Sequence, residues 1–353
     1  MTMAVHGGMS ERERGAILAR GLLPLDLSAN LNPYGPPPAV LAAAAHADAG
    51  RYPEPNAGRL CRAIARFVGC TPAMVMAGNG SSELIFLAAR AFGTPGRPGL
   101  VATPTFAEYG RALRAAGVHA LELRCFGPDG AGLEPAIDAA RSAEPGVIFV
   151  CSPNNPTGDL LPDDRLEELR RAARTVGAVL VIDEAYRELG GVPDSRWFER
   201  EGVVVLRSLT KLYAIPGLRV GYALGSPDLI GAMREQQPPW SVSAPAIAAA
   251  LRALRERAFV RRSVARIIEA RARLTDGLRR AGFAVLGSDA NFVLVEVGDA
   301  GSARKRLLER GIAVRDCSSF GLPSHVRIAV PRLEDVDRVI SAMEELRCRR
   351  AGC

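Results

Sequence analysis

Along most of the chain, short runs of β-branched and apolar residues alternate with longer stretches in which apolar positions recur every three or four residues. Runs at 74–77, 100–103, 119–124, 147–151, 179–183, 203–208 and 219–224 read as strands. Helical spacing falls between several of them, over 83–92, 106–116 and 163–176. Near-continuous apolar strands separated by helices predict an α/β architecture with a mostly parallel seven-stranded sheet and helices on both faces. In such a sheet ligands collect at the carboxyl ends of the strands.

After residue 246 the pattern changes. Apolar residues at 247, 251, 254, 260, 264, 267, 274 and 278 predict one long helix. Short strands at 283–286, 292–297, 313–315 and 326–330, with helices over 302–310 and 333–346, then read as a smaller α+β unit. The first 35 residues run into the turn-rich NPYGPPP (32 to 38) and read as an arm. The expected division is an arm over 1–35, a large sheet domain over 36–245, and an interdomain helix with a small C-terminal domain over 246–353.

Composition narrows the class. A chain of 353 residues that is 48% hydrophobic and 24% charged is globular, which excludes disorder and fibre. Apolar runs such as 178–182 fall far short of the roughly 18 to 20 residues that span a bilayer, and residues 1–8 lack a signal-like apolar segment. A cytoplasmic protein without a membrane partner is expected. The net charge of +7 is matched by segment 251–280 alone, which holds 10 Arg against 3 acids. Helical spacing places these arginines on an outer, solvated face, and no aromatics interleave with them, so nucleic acid is not expected. Seven scattered cysteines without a C-x-x-C pair, and four histidines, support neither a disulfide framework nor a metal site.

The basic residues comprise 43 Arg and only two Lys, Lys211 and Lys305. Chemistry that needs a neutral amine cannot use Arg, so it must use one of these two. Lys305 lies in SARKRLLER, on an amphipathic helix, and reads as surface. Lys211 ends RSLTK (207 to 211), at a strand end, where an amine can join an aldehyde. Ser208, Thr210 and Arg219 are close enough in sequence to hold a phosphate.

Four other segments end predicted strands. AGNGSSE (77 to 83) is a Gly-rich loop entering a helix, and the free N–H groups around Gly80, Ser81 and Ser82 suit a phosphate; a plain strand-to-helix turn gives the same pattern. PTFAEY (104 to 109) offers Tyr109 to a flat ring, or to the core. SPNNPTG (152 to 158) offers the Asn155 amide, or simply a turn. DEAY (183 to 186) sets Asp183 and Tyr186 after an apolar run, where an aspartate is costly to desolvate without a partner. Together these groups supply what a phosphorylated pyridine aldehyde needs.

With those motifs in that order, the chain resembles the fold-type I, pyridoxal-phosphate-dependent aminotransferase superfamily over essentially its whole length. The resemblance implies that Lys211 joins the cofactor aldehyde, Asp183 pairs with the pyridine nitrogen, and Asn155 and Tyr186 contact the ring oxygen. It implies that Tyr109 stacks on the ring, and that Gly80, Ser81, Ser82, Ser208, Thr210 and Arg219 hold the phosphate. Tyr52 of RYPEPN (51 to 56) is implied to reach across from the second subunit of a homodimer. Arg327 in HVRIAV (325 to 330) matches the arginine that clamps a substrate carboxylate.

Within that superfamily the chain is similar to the branch holding histidinol-phosphate aminotransferase and threonine-phosphate decarboxylase, through NLNPYG (30 to 35), RYPEPNA and ANF (290 to 292). HGG (6 to 8), DLSANLNP (26 to 33) and SLTKLYAIPGLRVGY (208 to 222) with PWSVSA (239 to 244) favour the decarboxylase. The expected function is therefore decarboxylation of a phosphorylated amino acid, O-phospho-L-threonine to aminopropanol phosphate, in a cobalamin-type pathway. By that resemblance His6 and Arg315 bind the substrate phosphate, with Ser28 and Asn30 nearby. Two readings stay open beside it: an aminotransferase of the histidinol-phosphate type or an enzyme of a related phosphate or phosphonate amino acid, and a catalytically idle cofactor-binding regulator. Ser243, where the family pattern has Asn, and Met9 after HGG depart from the resemblance.

Overall fold

The computed structural model describes residues 7–348. Its strands are β1 (Leu25–Leu27), β2 (Val75–Gly78), β3 (Gly99–Thr103), β4 (Ala120–Arg124), β5 (Val147–Cys151), β6 (Val179–Asp183), β7 (Val203–Ser208), β8 (Gly221–Gly225), β9 (Phe292–Glu296), β10 (Ile312–Asp316) and β11 (His325–Ala329). Seven form one sheet in the order β2-β8-β7-β6-β5-β3-β4. Only β8 runs antiparallel to its neighbours; the other adjacent pairs are parallel.

The central strands are dense in β-branched residues because both faces of the sheet are covered. Ile148, Val150, Leu180, Ile182 and Val205 enter one core with Leu166 and Leu169 of helix Asp163–Thr175. Their neighbours Phe149, Val181, Val204 and Leu206 enter another with Leu84 and Leu87 of helix Gly80–Phe92. Each such side chain contributes about 1.5–3 kcal/mol by leaving water. Edge strand β4 is part-exposed along its length and carries Glu122 and Arg124, which discourage pairing with another chain.

A second sheet has the order β1-β10-β11-β9, with β1 parallel to β10 and the rest antiparallel. Its edge strand comes from the N-terminal segment, which also holds helix Glu11–Leu18, begun by a capping box between Ser10 and Glu13. The sequence pattern signals neither element. The expected strand at 283–286 is reduced to a single bridge, Val285 to Val295, between Gly282 and Gly287.

The expected single helix after residue 246 is two, Ala244–Ala253 and Arg257–Arg280. Between them Arg255 and Glu256 close tighter bonds to the carbonyls of Arg252 and Ala253. Ser243 caps the first helix by accepting from Ala246 N at 3.3 Å. Ser and Asn are near-equivalent caps, so this departure is local to the helix end. The arginines of the second helix are not simply solvated. Arg271 donates to Ala290 O and Arg279 to Val285 O, Arg273 pairs with Asp337, and Arg257 and Arg266 lie over the rings of Phe67 and Tyr34.

Among the described residues no helix is long and apolar enough to cross a membrane, and no His/Cys/Asp/Glu group could hold a metal ion. Cys61, Cys125, Cys151 and Cys317 are buried free thiols, and Cys70 is part-buried.

Candidate active site

Strands β3, β5, β6 and β7 run parallel, so they end on one rim of the large sheet. Register fixes the neighbours there: Cys151 lies beside Asp183, and Ser208 beside Gly221, which in turn faces Gly78 on β2. The segments that follow these ends carry Gly80, Asn155, Tyr186, Lys211 and Arg219. The fold thereby gathers groups separated by up to 139 positions in the sequence.

The Gly80 loop, Ser208, Thr210 and Arg219 form one corner. Gly80 has a left-handed φ of +75°, and a Cβ there would lie 2.5 Å from Arg219 Nη2; at Gly221 a Cβ would lie 2.9 Å from Ser81 N. Only glycine permits this approach. Arg219 is itself left-handed, at φ +52°. Ser208 Oγ and Thr210 Oγ1 are 2.7 Å apart, and Lys211 Nζ donates to Ser208 Oγ at 3.4 Å. Ser82 is half-buried one residue beyond Ser81.

Lys211 Nζ stands 5.2 Å from the centre of the Tyr186 ring. Loss of hydration lowers its pKa, the charges of Arg219 and Arg327 add to that, and Asp183 opposes it. Asp183 is shifted upward by burial, against the charge of Lys211 and the phenol of Tyr109. Its two oxygens accept from Ala185 N at 3.0 Å and Tyr109 OH at 2.9 Å.

The stacking role expected of Tyr109 does not fit this geometry. The ring is 0% exposed and stacked on Phe149 at 5.5 Å, which leaves no face for a ligand. Phe106, three residues earlier and edge-on to Tyr109, is the half-buried ring of that segment. Both aromatics sit in PTFAEY, and the sequence offers no sign of which one faces inward.

Tyr186 accepts from Asn155 Nδ2 at 3.4 Å and meets Phe292 of β9 edge-on at 5.1 Å. Arg327 lies over the same Phe292, donates to Asn155 Oδ1, and donates to Ser28 O at 2.6 Å. One guanidinium thus joins the large sheet, the small sheet and the arm. Among the described residues, Arg327 Nε and Asn291 Oδ1 are buried without a hydrogen-bond partner. Such atoms are costly unless a ligand satisfies them. Asn291 and Phe292 belong to the ANF motif, but an amide before a strand and an apolar residue on it read as packing in the sequence.

Behind the rim, Glu184 accepts from Arg207 Nε at 3.1 Å and from Ser195, and Arg207 also pairs with Asp194 at 2.9 Å. This buried network fixes the ends of β6 and β7.

Arg315 pairs in register with Arg327 on the neighbouring strand, donates to Ser319 Oγ at 2.7 Å and lies over Phe320. Tyr52 stands apart, 82% exposed and tilted against Trp240 at 4.8 Å. His6 lies outside the described residues. Met9 engages through its backbone, donating to Asp26 Oδ2 at 2.8 Å, so its side chain does not set that contact.

Comparison with known proteins bears on the reaction. The histidinol-phosphate aminotransferase of Symbiobacterium thermophilum is 37% identical over 328 residues, 90% of this chain and 89% of that protein. Among solved structures, histidinol-phosphate aminotransferase from Clostridium acetobutylicum is 27% identical with TM-score 0.83, covering 91% of this chain and 98% of that one. L-threonine-O-3-phosphate decarboxylase from Porphyromonas gingivalis is 26% identical with TM-score 0.77, covering 91% and 98%. Further relatives at 32–36% identity also carry the histidinol-phosphate aminotransferase name.

These relatives overturn the expectation of a threonine-phosphate decarboxylase in favour of the aminotransferase alternative. The motifs that suggested decarboxylation, in the N-terminal segment, around Lys211 and at 239–244, do not specify which substrate bond is aligned to break. The match to the aminotransferase class I and II family model runs over residues 24–343, and with nine-tenths of the chain shared with a relative 37% identical, this chain belongs to that family of enzymes.

Proposed function

We propose that this enzyme is an aminotransferase of the histidinol-phosphate type, using pyridoxal 5'-phosphate held at the rim of the large sheet. The observation that carries the reaction is the 37% identity, over nine-tenths of this chain, to a histidinol-phosphate aminotransferase, while the convergence on one rim of the amine Lys211 and the buried carboxylate Asp183 supports the cofactor. The donor set fits the cofactor: without a side chain at Gly80 the loop backbone and the Arg219 guanidinium stand together as phosphate donors, and Asp183 offers a carboxylate to a protonated ring nitrogen. When bound, the cofactor withdraws electrons from the substrate carbon that bears the amine.

Ser81, Ser208, Thr210 and Arg219 hold its phosphate, and Asn155 and Tyr186 donate to its ring oxygen. Phe106 takes the stacking role, with Tyr109 behind Asp183. Lys211, more readily neutral than an exposed lysine, would take the proton from the substrate carbon that bears the amine. Arg327 holds the anionic group nearest the reacting amine, the carboxylate of an amino-acid partner. Arg315, opposite it on the next strand, holds a phosphate, with Ser28 and Asn30 alongside. Tyr52, exposed in one protomer, completes the site of the other in a homodimer.

Incubation with histidinol phosphate and 2-oxoglutarate is expected to yield glutamate, and Lys211→Ala to abolish both that yield and the cofactor's absorbance near ~420 nm. Absence of glutamate from a fully loaded enzyme would overturn the reaction. Unchanged absorbance in the variant would overturn the role of Lys211.

A further inference from the structure

A cavity of about 330 Å³ opens beside Arg315, between the small sheet and the arm. Arg315 and Ser28 line it, as does the backbone of Gly8, whose N–H donates to Ser28 Oγ at 2.8 Å. Arg304, from helix Ala300–Leu308, lines it as well. Burial disfavours protonation of Arg315 most, Cys317 and Asp316 oppose that, and the charge of Arg304 adds a smaller effect in the direction of burial. The acid on the wall, Asp316, is turned to Ser318, whose N–H and hydroxyl both donate to its Oδ1.

Two guanidiniums line this small cavity beside one carboxylate, Asp316, so a doubly charged anion between them finds more positive than negative charge once Arg304 is released. A phosphate ester carries nearly two negative charges at neutral pH. Arg327 is assigned to the carboxylate of the amino-acid partner, so Arg315 by itself supplies half of the countercharge of a phosphate. Arg304 is meanwhile neutralised by Glu13 of the arm helix, with Arg304 Nη2 at 2.5 Å from Glu13 Oε1. Both partners are part-exposed, at 33% and 21%, so the pair can open without exposing a core.

We infer that Arg304 is a specificity-determining residue for the substrate phosphate, exchanging Glu13 for the phosphate when a phosphorylated amine enters. Glu13 then acts as an internal competitor that occupies the guanidinium in the empty enzyme. The inference rests on the proposed reading of a phosphorylated substrate at Arg315.

The test compares Arg304→Gln and Glu13→Gln in the cofactor-loaded enzyme, because both break the same pair. With histidinol phosphate as amine donor, Arg304→Gln is expected to raise KM about tenfold or more, and Glu13→Gln to lower it; with unphosphorylated histidinol neither shift appears. In parallel, inorganic phosphate at matched ionic strength is expected to raise the Tm of the loaded enzyme, more for Glu13→Gln and less for Arg304→Gln. Equal shifts of the same sign in both variants, on both donors, would make the pair a plain tether of the arm and overturn the inference. No effect of Arg304→Gln would overturn it too. A wild-type enzyme that accepts histidinol as readily as histidinol phosphate would instead overturn the phosphorylated-substrate reading, whatever the variants do.

Discussion

The phenol of Tyr109 donates to Asp183 Oδ2 at 2.9 Å, from a ring that has no contact with water. The bond lowers the pKa of a carboxylate that burial raises, and so favours its charged form. Tyr109→Phe removes the donor and keeps the ring. The expected cost is about 1–3 kcal/mol of stability in the cofactor-free protein, because a buried acceptor loses its partner. Cofactor affinity is also expected to fall. Denaturant unfolding and a cofactor titration check both; unchanged values would reduce Tyr109 to packing against Phe149.

Arg327→Lys keeps the charge and loses the fork that reaches Asn155 Oδ1 and Ser28 O together. KM for glutamate and 2-oxoglutarate is expected to rise about 10- to 100-fold, the loss of one charge-assisted bond or slightly more. The cofactor absorbance should persist, since Arg327 is assigned to substrate. Steady-state kinetics on the loaded variant decide the matter, and a KM within a factor of two of wild type would remove the clamp.

Glu188 has its carboxyl pushed up to about 7 by burial, with the negative charges of Asp194 and Glu184 adding to the shift and Arg207 opposing it. The folded state therefore holds a proton that the unfolded chain releases near pH ~4.3. Stability from this group is full below that value and declines as pH rises towards 7. Glu188→Gln, which stays neutral, should flatten this decline and melt above wild type at pH 8. Melting curves from pH 5 to 8.5 test it; parallel curves for the two proteins would show that Glu188 is ionised throughout.

Tyr52 and Lys211 are assigned to one site but to different protomers. Inactive Tyr52→Ala and Lys211→Ala chains, mixed under conditions that exchange subunits, should regain activity, since one site of each mixed dimer has both residues intact. Mixtures no more active than the separate chains would place Tyr52 outside the site.

The strands of the large sheet were legible because each is a run of β-branched residues ended by a turn, and both faces demand the same chemistry. Lys211, Asp183 and Asn155 were legible for a related reason: each is a polar residue at the end of an apolar strand. Legibility failed where two residues of one kind compete for one place. Phe106 and Tyr109 share a segment, and only packing against Phe149 shows that Tyr109 is the inner ring. It failed also for β1, whose three residues have no pattern of their own and become a strand only because β10 needs a partner. The reaction was hardest to read, since residues that bind an anion look alike whichever bond is later broken.

The parallel pairing of β1 with β10 gives the N-terminal segment a second character. Deleting the chain through Leu27 would leave β10 with bare N–H and C=O groups, an edge ready to recruit a strand from another molecule. A truncation that stops before Ser10 keeps that edge sealed and keeps the capped helix. Shortened forms of the enzyme should therefore divide by cut point into soluble enzymes with altered substrate affinity and chains that aggregate.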